Sequence, residues 1–267
     1  MQTNTFFSFY RFARFAKHNL ILNYRQLLMI WGALIVTIFF FCLFVIADDS
    51  SSWNTSQLWQ FPYAMVFLGA GMIISGMAFS SFRSKERTLA ALMIPVSAIE
   101  RLLYELIEKV MLYVAMYPFV FYSFSNLAVW VRNAIDPNTQ VKTNGQVTFP
   151  FQYLSFSNLW ENHEGYFIVL GLGILAFLMA FAGAAVFRKY PLLKTILFFG
   201  GVVLVAIGYF YFLFGILRID QPWFADIIDQ WEITINNLPY FLSAILVPMG
   251  LIILTYSYFK LKEKEVR

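Results

Sequence analysis

Apolar positions in this chain of 267 residues gather into six long blocks, at 27–47, 61–81, 110–131, 165–187, 195–217 and 238–259. None of the six contains Asp, Glu, Lys, Arg or His. A helix rises ~1.5 Å per residue, so about twenty residues cross a ~30 Å hydrocarbon layer. The pattern predicts an all-α, polytopic membrane protein with six transmembrane helices. A soluble domain of this length does not need six such blocks, so the chain's work is expected in or across a bilayer.

The stretches between the blocks are patterned too. In residues 1–26, Arg11, Arg14, His18 and Arg25 fall within one narrow wedge of a helical wheel, with Phe6, Phe9, Ala13, Ala16, Leu20 and Tyr24 opposite. This predicts an N-terminal amphipathic helix lying in the membrane interface, cations toward headgroups. It is either a simple anchor or an elbow that braces a partner or the neighbouring spans. Segment 82–109 opens on charges, Arg83, Lys85, Glu86 and Arg87, and turns apolar after Thr88 and Leu89. Pro95 ends that short helix, because proline lacks an amide donor and disfavours helix at the residue before it. Ser97-Ala98-Ile99-Glu100 has the spacing of a capping box, so a new helix starts there and runs into the third span. The segment is either a rigid lever joined to a transmembrane helix or an ordinary helical connection. The outer loop 132–164 reads as polar and irregular, broken by Pro137, Gly145 and Pro150, and the outer segment 218–237 as a short interfacial or re-entrant helix. The tight turn 188–194 makes spans four and five antiparallel neighbours. Gly69, Gly71, Gly76, Gly171 and Gly173 permit close backbone approach.

Charge adds orientation. Sixteen of the 19 basic residues lie in the first, third, fifth and seventh extramembrane segments; only Arg132, Lys142 and Arg218 lie in the others. The positive-inside rule places both termini in the cytoplasm of a plasma (inner) membrane protein. The basic residues are spread beside spans without a basic domain, which argues against nucleic-acid binding. Composition agrees with a membrane chain: 60% hydrophobic, 13% charged, mean hydropathy +0.66. The lone Cys42 sits in the first span and reads as filler.

Candidate chemistry is sparse. A charge at mid-bilayer is costly and is kept there for function, and these blocks keep none, which disfavours ion-coupled carriers and intramembrane enzymes. His18 and His163 lie on opposite sides of the membrane, so no metal site is expected. No phosphate-cradling GxxxxGK[ST] loop occurs. The chain is read as a non-enzyme without a cofactor of its own.

Glu86-Arg87-Thr88-Leu89, then Pro95-Val96-Ser97 and Glu100, resembles the cytoplasmic signature of type-2 ABC transporter permeases. The layout is similar as well: amphipathic N-terminal helix, six spans, cytoplasmic termini and an amphipathic outer segment before the last span. The resemblance implies a bacterial exporter subunit whose segment after span two is a cytoplasmic coupling helix. Arg83, Lys85, Glu86, Arg87, Thr88 and Leu89 would meet a cytoplasmic ATP-binding subunit, and Pro95, Ser97 and Glu100 would shape the turn into span three. ATP and Mg would sit on that partner, and a second permease chain would pair with this one to move a hydrophobic or amphipathic cargo. The alternative is a non-transporting multi-pass scaffold or assembly factor that recruits a cytoplasmic partner.

Overall fold

A computed structural model describes residues 7–47, 55–82, 88, 93, 96–135, 141–143, 146–148, 163–187, 189–212 and 238–266. These form helices α1 (Phe9–Ala47), α2 (Thr55–Gly76), α3 (Ala98–Leu106), a π-helical segment (Ile107–Met111), α4 (Leu112–Ile135), α5 (His163–Val186), α6 (Pro191–Tyr211) and α7 (Leu238–Val266). Among the described residues, three helical stretches are long and apolar enough to cross a membrane: Phe9–Ile46, Ala98–Ile135 and Val169–Val186. A bilayer is therefore the environment this chain suits.

The N-terminal region differs from the expectation. Residues 9–26 are not a separate helix; α1 is continuous over 39 residues. At ~1.5 Å per residue it is about 58 Å long, nearly twice a hydrocarbon core. No Pro, Gly pair or other breaker falls near residue 26, so nothing in the sequence interrupts the helical hydrogen bonds there. Its long stem is continued by a parallel neighbour. Arg11 meets Glu100, Phe15 meets Tyr104 edge-on at 5.4 Å, and Trp31 meets Tyr113 at 6.4 Å. The stretch Ala98–Ile135 thus runs alongside α1 in the same direction, unbroken into its apolar part. The π segment within it lies where charged residues give way to apolar ones.

An aromatic cluster forms the centre of the bundle. Tyr63 and Phe67 of α2, Tyr113, Tyr117 and Phe121 of α4 and Phe177 of α5 are nearly or fully buried. Their ring centroids lie 5.1–5.9 Å apart in stacked, tilted and edge-on pairs. Each such pair adds ~0.5–1.5 kcal/mol beyond the area it buries. The two tyrosine hydroxyls are satisfied within the cluster: Tyr113 Oη donates to the Phe67 carbonyl and Tyr117 Oη to the Tyr63 carbonyl, both at 2.9 Å. Glycine makes room for the rings. A Cβ on Gly71 would overlap the Phe177 ring, and one on Gly173 the Phe67 ring, whereas one on Gly69 would meet open space. Of the small residues read as packing positions, Gly71 and Gly173 thus sit at close approaches and Gly69 does not. Cys42 is fully buried against the helices rather than turned to lipid.

Two further local features bear on the expectations. The 132–164 region is not wholly irregular: β1 (Val141–Thr143) and β2 (Gln146–Thr148) pair antiparallel, Val141 opposite Thr148. The dipeptide between them is Asn144-Gly145, the pair best suited to a two-residue hairpin turn. At the other end of the bundle, α5 and α6 are packed neighbours. Tyr190 takes a left-handed backbone (φ 53°) and Pro191 opens α6, which reverses the chain in a few residues. The outer segment 218–237 lies outside the described residues.

Candidate functional site

The region that gathers polar chemistry is the start of α3. Ser97 has the extended backbone of an N-cap (φ −72°, ψ 154°). Its Oγ accepts from the Glu100 amide at 3.3 Å, and Glu100 Oε2 accepts from the Ser97 amide at 3.0 Å. This is the capping box that the Ser-x-x-Glu spacing predicts, and it satisfies two amides that the helix itself cannot.

Glu100 does more than cap. Its Oε1 accepts from the Ser8 amide at 2.8 Å and from Arg11 Nη2 at 2.8 Å, while Arg11 Nε lies 2.9 Å from Oε2. The guanidinium and the carboxylate therefore meet in the planar two-point geometry that arginine favours. The Glu100 side chain is wholly buried, and that of Arg11 is one-third exposed. Burial alone would raise the Glu100 carboxyl. Arg11 and the Ser8 and Ser97 amides outweigh it and hold the group below the usual carboxylate range. Glu100 precedes the charge-free stretch 110–131, so this chemistry sits at the bundle's polar end.

A second carboxylate acts one turn on. Glu105 accepts from the amide of Phe79 and is pushed up to about 7, chiefly by burial; Glu108 adds to the rise, and Lys109 and Arg101 oppose it. Phe79 is itself unusual, a buried non-glycine residue with φ 54° at the turn that follows α2. Arg101 is buried with its guanidinium 5.1 Å above the Phe82 ring, and Glu108 pairs with Lys109 at 2.8 Å. The chain leaving α2 at Phe79 and the chain entering α3 at Ser97 are thus each held by a carboxylate of the same helix.

Ser97, Glu100 and Arg11 come together as one cluster. The other members of the basic wedge do not join it. Arg14, His18 and Arg25 are exposed, Arg14 lying over the Tyr10 ring and Arg25 over that of Tyr24. Thr88 Oγ1 is 3.5 Å from the Ser81 carbonyl. Arg83, Lys85, Glu86, Arg87, Leu89 and Pro95 lie outside the described residues. Sequence reasoning missed Ser8 and Glu105. Ser8 acts through its backbone amide, which leaves no side-chain signal, and Glu105 is marked only by standing between Arg101 and Lys109 at four-residue spacing. Among the described residues no cluster of three or more His, Cys, Asp or Glu is placed to hold a metal ion.

Comparison with known proteins yields no matching protein-family model, no matching curated protein and no matching solved structure.

Proposed function

We propose that this chain is the membrane subunit of an ATP-driven exporter. In this reading six helices span the membrane with both termini in the cytoplasm, and two such chains pair. A separate ATPase grips segment 83–89, and its closure pushes on 85–94. The capped helix from Ser97 passes that push into Leu112–Ile135, and the bundle rocks between inward- and outward-open states. The observation that supports the reading best is mechanical. The exit of the loop, at Ser97, is fixed to a helix that continues without a break into an apolar stretch packed on the aromatic cluster. A push delivered at Ser97 displaces a helix.

The decisive experiment is affinity capture of the full chain from native membranes in mild detergent, with Glu86→Ala/Arg87→Ala as comparison. A co-purifying ATPase that is depleted at least tenfold by the double substitution is the expected result. Undiminished capture with undiminished transport would remove these residues from the contact. Stable capture of a partner without nucleotide-binding loops would favour the scaffold reading instead.

A further inference from the structure

Capping α3 requires only one acceptor from Glu100, the one facing the Ser97 amide. The carboxylate nevertheless takes three more donors, the amide of Ser8 just before α1 and two nitrogens of Arg11 in its first turn. A carboxylate offers about four acceptor positions, so the group is saturated by two chain segments some ninety residues apart. A solvated cap explains neither the complete burial of Glu100 nor the orientation of Arg11. The seam here is also narrow. Phe15 is buried against Tyr104, but Phe9, Tyr10, Leu20, Ile21 and Leu22 of the same helix are exposed. Within the protein, removing the ion pair would therefore leave few contacts to hold the tip of α1 against α3.

We propose that Glu100 and Arg11 form a latch that makes residues 8–15, at the start of α1, and 97–104, the N-cap and body of α3, a single mechanical body. The N-terminus then acts as a stay on the exit of segment 83–97. Whatever grips that segment also loads α1, and whatever binds the N-terminus restrains α3. This holds whichever partner docks there, so it stands or falls apart from the exporter reading.

The test is amide hydrogen exchange on the full chain in lipid nanodiscs, comparing Arg11→Ala, Arg11→Lys and Arg14→Ala with the parent. The latch predicts at least tenfold faster exchange over 9–16 and 98–103 in Arg11→Ala. It predicts an intermediate rate in Arg11→Lys, which keeps the charge but loses the two-point geometry. Arg14→Ala should match the parent, and 112–135 should be little changed in all. Equal exchange in Arg11→Ala and Arg14→Ala overturns the proposal, as does uniform acceleration across the bundle. Should Arg11→Ala fail to fold, a cysteine pair decides. Ser8→Cys/Val96→Cys on a Cys42→Ala background should be joined readily by a short bis-methanethiosulfonate reagent, and at least fivefold less when Glu100→Gln is added. Cross-linking indifferent to Glu100→Gln contradicts the latch.

Discussion

Glu100 concentrates most of what is specific about this protein into one side chain. Charge-assisted hydrogen bonds contribute ~1.5–3 kcal/mol each in favourable cases, and a buried carboxylate stripped of its partner keeps its desolvation cost. Arg11→Ala leaves Glu100 its two amides, so a lowered midpoint of thermal unfolding in detergent is expected rather than loss of the fold. The pH dependence follows from the sign of the shift. A carboxyl held below its usual value stabilises the fold above that value and loses the contribution as pH falls through the depressed one. Acid titration of the parent should therefore release the α1 tip, seen as rising exchange at 9–16, while Glu100→Gln should show no such acid step. Gly71 offers an independent residue-scale check. Its Cβ would collide with Phe177, so Gly71→Ala should cost ~1–3 kcal/mol by overpacking. Gly69→Ala, facing open space, should be neutral or stabilise by up to about 1 kcal/mol. Melting temperatures of the two variants side by side give the answer.

At the scale of elements, what could be read from the residues was what is encoded locally. Charge-free blocks set helices, and Ser97 with Glu100 set a helix start, because both depend on neighbours within one or two turns. The Arg11–Glu100 pairing depends on how two distant helices pack, and no periodicity carries that. The wheel grouped Arg11 with Arg14, His18 and Arg25. Packing against α3 divides them, because Arg11 sits at the edge of the wedge that faces the bundle. The pairing of 141–143 with 146–148 was within reach, since Asn-Gly is a common hairpin dipeptide, but strands of three residues give too short an alternation to stand out among loop breakers. The π segment has no signature in composition at all. The continuity of α1 is open to direct measurement. Spin labels at Arg14 and Val36, both exposed, should lie ~33 Å apart along a straight helix. A right-angled bend near residue 26 would bring them to about 23 Å.

In the whole molecule, an apolar bundle sealed by interlocked rings adjoins a polar end where two carboxylates hold both mouths of segment 80–97. The proposed exporter function requires that polar end to face the compartment of the proposed ATPase. Met93 lies in this segment and is strongly exposed, which makes it the natural reporter. A Met93→Cys chain on the Cys42→Ala background should react with a membrane-impermeant maleimide in inverted vesicles and be protected in right-side-out ones. Labelling from the outer face alone would turn the grip segment away from any cytoplasmic ATPase and contradict the account.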